Sequence, residues 1–141
     1  SGGCLPAEFL NMPVDFNTLT AAGSMMGSGG IVVMDQDTCI VDVARYFLDF
    51  TQRESCGQCL PCRVGTKQMF TILDDITRKE GKPGDIELLL ELGEAIAHTS
   101  LCALGQSAPN PVLTTIRYFR KEYEAHIYEE ECPAGVCRAY L

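Results

Sequence analysis

Cys56, Cys59 and Cys62 stand at C-x2-C-x2-C spacing, with Gly57 and Pro61 between them. A loop of that length wraps three corners of an iron–sulfur cubane, each thiolate meeting a different iron. Zinc ribbons use paired C-x2-C units, and a third cysteine at the same interval is unusual for them. Radical-SAM enzymes take a wider first interval and leave one iron open, so they fit less well. A bacterial ferredoxin places its fourth cysteine a few residues on, before a proline. Here the next cysteine is Cys102, in Leu101-Cys102-Ala103-Leu104-Gly105. Cys56, Cys59, Cys62 and Cys102 are therefore the candidate ligands of one [4Fe-4S] cluster.

Four cysteines remain: Cys4, Cys39, Cys132 and Cys137. His126, Cys132 and Cys137 read H-x5-C-x4-C. With Cys39 they make three thiolates and an imidazole, the closed tetrahedral pattern of structural zinc. Such a site pins the C-terminal tail and serves as a hinge; the alternative is a set of reduced, half-buried cysteines. Cys4 has no clear partner and reads as a free thiol. His98, just before the cluster loop, is either a hydrogen-bonding neighbour of the cluster or a surface histidine. Arg63 is either a charge beside the cluster or a solvated side chain. Met25, Met26 and Met34 read as packing, and Glu129-Glu130-Glu131 as a solvated run.

The elements that must position these groups are mostly helical. Ile40, Val43, Ala44, Phe47, Leu48 and Thr51 form one apolar face at helical spacing. Gly65, Met69, Ile72, Leu73 and Ile76 form a second face, and Ile86, Leu89, Leu90, Gly93, Ile96 and Ala97 a third. Val112, Ile116, Phe119, Tyr123 and Ile127 mark the fourth, with Asn110-Pro111 as a cap and first helical position. Residues 101–108 read as a loop, and Gly81-Lys82-Pro83-Gly84 as a turn. Ile31-Val32-Val33-Met34 reads as a strand, followed by a turn in which Asp37 or Thr38 caps the first helix.

Four amphipathic helices with short connections predict an up-down-up-down bundle. In that topology the loops after the first and third helices share one end, which lets Cys102 reach Cys56, Cys59 and Cys62. The start of the first helix and the end of the fourth share the other end. Helices of about 14 residues separate the two ends by roughly 20 Å, so Cys39, His126, Cys132 and Cys137 meet one another and not the cluster. Gly57, Gly65 and Gly105 let backbone approach sulfide closely.

The 141 residues are room for one modest domain or a small domain with an extra piece, and eight cysteines are many for that length. With 46% hydrophobic and 21% charged residues a packed core is expected. A net charge of −8 argues against nucleic acid. No apolar run approaches the ~20 residues of a membrane span, and no basic region precedes an apolar one as in a secretion signal. A cytoplasmic location, with reduced cysteines, is expected. The chain opens Ser1-Gly2-Gly3-Cys4 and reads as a piece of something longer.

The run Glu54-Ser55-Cys56-Gly57-Gln58-Cys59-Leu60-Pro61-Cys62-Arg63-Val64-Gly65, with Leu101 to Gly105, resembles the NADH-binding flavoprotein subunit of respiratory complex I. Gln106-Ser107-Ala108-Pro109-Asn110-Pro111 and Cys132-Pro133-Ala134-Gly135-Val136-Cys137 look closer to its NAD(P)-linked, electron-bifurcating [FeFe]-hydrogenase relatives. The resemblance covers essentially the whole chain. It implies that residues 1–38 end a ubiquitin-like β-grasp domain of the soluble-ligand-binding type. Residues 39–128 would be the helical [4Fe-4S] domain and 129–141 a tail.

In that family FMN takes a hydride from NADH and releases electrons singly to the cluster. A thioredoxin-like [2Fe-2S] subunit and a large cluster-bearing subunit are the usual partners. The family's flavin and nucleotide site lies upstream, and no glycine-rich phosphate loop occurs here, since Gly27-Ser28-Gly29-Gly30 precedes the expected strand instead of following one. Hydrogenase relatives commonly continue past the tail into a ferredoxin-like domain, which is not in this sequence. The chain alone is therefore expected to be an electron-transfer module that neither binds nor oxidises NADH. The competing reading is a structural interaction domain with zinc at both ends. An independent enzyme has no support, because no nucleophile–base pair stands out.

Overall fold

A computed structural model describes residues 2–141 and is mainly helical, with no strand among the described residues. Its α-helices are α1 (Phe16–Ala21), α2 (Ile40–Arg53), α3 (Thr66–Thr77), α4 (Asp85–Thr99), α5 (Ala103–Ser107) and α6 (Asn110–Glu124). A π turn at Pro61–Gly65 leads into α3, and a second at Ala125–Glu129 extends α6.

Each long helix buries one stripe. Ile40, Val41, Ala44, Leu48 and Thr51 are the buried positions of α2, and Met69, Ile72, Leu73 and Ile76 lie among those of α3. Helix α2 packs on α3 and α6, while α4 packs on α3 and α6, so the four stripes meet in one core. Full burial of each such aliphatic side chain stabilises by about 1.5–3 kcal/mol. Gly93 sets the approach of α4 to α6, since a Cβ there would lie 2.8 Å from Leu113 Cδ2.

Helix α6 is not regular. Phe119 has φ −129° and ψ 30°, outside helical values. Tyr123, fully buried beyond this kink, shares a hydrogen bond of 2.7 Å with the Thr115 hydroxyl. The pairing gives the phenol a partner in an otherwise apolar setting.

The N-terminal segment lies against α6. Cys4 N–H donates to Thr114 Oγ1 at 2.8 Å, and Tyr118 O–H donates to the Ala22 carbonyl at 2.7 Å. Phe9 meets Tyr118 edge-on, with ring centroids 5.5 Å apart. Met25 N–H donates to Gly2 O at 2.9 Å, closing the segment on itself.

Several local expectations are corrected. Ile31-Val32-Val33-Met34 is not a strand; Ile31, Val32 and Val33 are 71%, 70% and 82% exposed. A strand needs a hydrogen-bonded neighbour, and none of the described residues supplies one. Neither Asp37 nor Thr38 caps α2. Instead the Asp35 carboxylate accepts Asp37 N–H at 3.2 Å and the Thr38 hydroxyl at 3.0 Å, and Cys39 takes the capping position without a side-chain bond. Asn110 is already helical, and Pro109 precedes the helix. The expected loop at 101–108 contains the short helix α5, which begins directly after Cys102.

Candidate metal centres

The turn after α2 presents Cys56 exposed, Cys59 half-buried and Cys62 buried. Gly57 has φ +78°, a conformation that costs a side-chain-bearing residue energy. The exposed Arg63 braces this loop, its Nη1 donating to the Gly57 carbonyl at 3.2 Å. Ser55 Oγ accepts Gly57 N–H at 3.3 Å and lies 3.3 Å from Cys62 Sγ. Thr66 Oγ1 donates to the Cys62 carbonyl at 2.5 Å, fastening the π turn to the head of α3.

The segment carrying Cys102 adjoins this turn. The Leu101 N–H beside the Cys59 sulfur, seconded by Cys62 N–H, holds the Cys59 thiol below its ordinary range. Gly105 sits against Cys62 so closely that an added Cβ would be 3.1 Å from Cys62 Cβ. The same Cβ would lie 2.6 Å from Ser100 Oγ, a buried hydroxyl with no hydrogen-bond partner among the described residues. Two loops bearing four cysteines, N–H groups turned to sulfur and an unpartnered buried hydroxyl suit an anionic iron–sulfur centre. Cys102 itself is exposed at the head of α5, and His98 is exposed on the last turn of α4.

At the other end of α2, Cys39, His126, Cys132 and Cys137 are all buried, and their ligand-type atoms lie within 4.8 Å of one another. His126 Nε2 is 3.5 Å from Cys39 Sγ and 3.7 Å from Cys137 Sγ. His126 Nδ1 lies 2.7 Å from the Glu122 carbonyl oxygen, to which it donates. That bond leaves Nε2 to face the sulfurs, the orientation a metal-ligating histidine takes. The Tyr140 ring meets the imidazole edge-on at 4.9 Å, and its hydroxyl donates to the carbonyls of Ile76 at 2.5 Å and His126 at 3.1 Å. The turn that returns Cys137 to the site is closed by Gly135 N–H on Cys132 O at 2.8 Å.

Electrostatics bind the group further. Cys137 donating to the Cys39 sulfur holds Cys39 well below the thiol range, against its burial, and His126 adds to the effect. Burial disfavours charge on His126, but the Cys39 sulfur and the Glu122 carbonyl outweigh it and push the imidazole up to about 9. Both shifts act toward a thiolate beside an imidazolium, and a metal ion held by these four residues would displace those protons.

Cys4 stands apart from both groups, buried, with its thiol pushed up by that burial. The supporting residues Glu122, Tyr140 and Ser100 carry no motif in the sequence, and Ser55 enters one only as part of the run Glu54 to Gly65. Only Glu122, four residues before His126, sits at a spacing that a helix turns into a contact.

The family model of the NADH-ubiquinone oxidoreductase-F iron-sulfur binding region matches residues 42–126, a span that holds Cys56, Cys59, Cys62, Cys102 and His126. The NADP-reducing hydrogenase subunit HndC of Solidesulfovibrio fructosivorans is 51% identical over all of this chain and 29% of its own length. An NADH-quinone oxidoreductase subunit of Rhizobium meliloti is 42% identical over 94% of this chain and 32% of its own. Among solved structures, an NAD+-reducing [NiFe]-hydrogenase in the air-oxidised state superposes with TM-score 0.79 and 34% identity, covering 89% of this chain and 22% of that one. The chain therefore spans about three-tenths of the curated relatives it matches.

Proposed function

Because the chain belongs to the NADH-ubiquinone oxidoreductase-F iron-sulfur binding region family, we propose that it relays electrons through one [4Fe-4S] cluster held by Cys56, Cys59, Cys62 and Cys102. The observation that carries this reading is the close seating of Gly105 on Cys62, where an added Cβ would stand 3.1 Å from Cys62 Cβ, so that the Cys102 loop adjoins the three-cysteine turn. Such a cluster, when bound, supplies one-electron reduction and oxidation. The chain's own part is to hold and tune it. Cys62 anchors the buried side, Cys56 and Cys102 face outward, and Ser55 and the Leu101 N–H offset negative charge on sulfur.

In the same reading the chain is one part of an NAD(P)H-linked oxidoreductase. FMN and NAD(P) bind a part of the parent flavoprotein outside these residues. The electrons pass to a thioredoxin-like [2Fe-2S] subunit and a large cluster-bearing subunit, in an enzyme of hydrogenase or NADH dehydrogenase type. Helices α2, α3, α4 and α6 form an up-down bundle across residues 39–128. Residues 1–38 complete a β-grasp unit, with the exposed Ile31–Met34 run taken up by its sheet.

Cys39, His126, Cys132 and Cys137 hold one zinc ion in this proposal, tying the tail 129–141 to the bundle. Four ligand-type atoms within 4.8 Å, all buried and with the imidazole already oriented, support it. A donor set of three thiolates and one histidine is closed, so it is structural and leaves no position for substrate.

Metal and sulfide analysis of anaerobically purified protein, followed by EPR after reduction, tests both sites. About four irons and four sulfides with an S = 1/2 signal on reduction, beside about one zinc, are expected. Zinc alone after anaerobic reconstitution would replace the electron relay with a structural interaction domain.

A further inference from the structure

Ser100 is 5% exposed, and its hydroxyl is without a hydrogen-bond partner among the described residues. An unpaired buried hydroxyl costs about 1–3 kcal/mol, so its retention calls for a use. Its backbone is fixed on both sides. Ser100 N–H donates to Ile96 O at 3.0 Å, and its carbonyl accepts Gln106 Nε2 at 3.1 Å. The side chain lies against Gly105, whose added Cβ would stand 2.6 Å from Ser100 Oγ and 3.1 Å from Cys62 Cβ, and the residue is two before Cys102. No second orphaned side-chain N or O is buried among the described residues.

Ser55 also adjoins Cys62, its Oγ 3.3 Å from the sulfur. It already accepts Gly57 N–H, which leaves its own proton for Cys62. An iron-bound thiolate has no proton to give, so in the loaded protein the hydroxyl is the donor.

We propose that Ser100 donates a hydrogen bond to a sulfur of the iron–sulfur centre, and that Ser100 and Ser55 together raise its reduction potential. This rests on the [4Fe-4S] reading and adds the two residues that set the energy of the relay. Reduction adds a negative charge to a centre already ligated by four thiolates. Hydrogen bonds to sulfur strengthen with that charge and so favour the reduced state. Ser100 is a positioning and tuning residue, and binds no metal itself.

The test is an EPR-monitored redox titration of the cluster-loaded, full-length parent protein, alongside thermal unfolding of its metal-free form. In Ser100→Ala, reduction should be about tenfold less favourable, a shift of about 59 mV to more negative potential for one electron. Ser55→Ala should shift in the same direction. Metal-free Ser100→Ala should be as stable as wild type or more so, because only an unpaired hydroxyl is lost. An unchanged potential, or a destabilised metal-free protein, overturns the assignment. If Ser100→Ala does not keep the cluster, Ser100→Thr decides. Retention at wild-type potential supports the hydroxyl's role, and failure to retain overturns it. A wild-type protein with no reducible iron–sulfur signal overturns the electron-relay reading instead.

Discussion

The imidazole Nε2 of His126 lies 3.5 Å from the sulfur of Cys39, so residues 87 positions apart join the start of α2 to the end of α6. Cys132 and Cys137 close the same group from the tail. A bond through one metal at this point ties together segments that are far apart in the unfolded chain, where no preformed site exists.

Metal removal is therefore expected to destabilise the folded chain. At metal a thousandfold above its dissociation constant the linkage is worth about 4 kcal/mol. Calorimetry with and without a zinc chelator should show a lower unfolding temperature in the chelated sample. Cys39→Ser should lose zinc and with it the response to chelator. Full zinc stoichiometry in that variant would exclude this ligand set.

The two centres should fail separately. Helix α2 has 14 residues between them, a length of about 21 Å. Cys102→Ser should lower iron and sulfide and abolish the reduced-state EPR signal, while leaving zinc in place. Joint loss of both metals would mean that the ends of the bundle are coupled in folding, contrary to this division.

The long helices are legible in the sequence because burial repeats along them. Ile40, Ala44 and Leu48, or Ile86, Leu89, Gly93 and Ile96, mark their buried faces by spacing alone. Helix order then brings Cys39 near His126 without any pairwise signal. Other features depend on groups that periodicity does not register. The kink at Phe119 goes with a Tyr123–Thr115 contact, and α5 begins where Cys102 leaves an extended backbone. The Ile31–Met34 run has the composition of a strand, yet pairing is a property of two segments and composition describes only one. Ser100 is invisible as a site residue because a lone serine is ordinary until its burial and lack of partner are known.

Gly105→Ala probes the contact of the two cysteine loops. Gly105 is buried, and its new Cβ would meet Ser100 Oγ at 2.6 Å and Cys62 Cβ at 3.1 Å. Overpacking of this kind costs about 1–3 kcal/mol, and here the strain falls on the loop that carries Cys102. Iron content per chain should fall, with the helical circular dichroism retained. Unaltered iron loading and unfolding temperature would show that the loops do not close on each other at Gly105.

Val33→Lys separates surface from interface. Val33 is 82% exposed, so the substitution should change the stability of this chain by no more than about 0.5 kcal/mol. Leu48→Ala, at a fully buried position of α2, should cost about 2–5 kcal/mol in the same assay. In the full-length parent the outcome for Val33 depends on whether a sheet takes up Ile31–Met34. A buried strand position loses its apolar contacts and buries an ammonium on substitution by lysine, which destabilises strongly. The β-grasp reading therefore expects Val33→Lys to be silent in the 141-residue chain and damaging in the parent, measured by denaturant unfolding of both. Silence in both would leave the segment an exposed linker and remove the reason to assign residues 1–38 to a sheet.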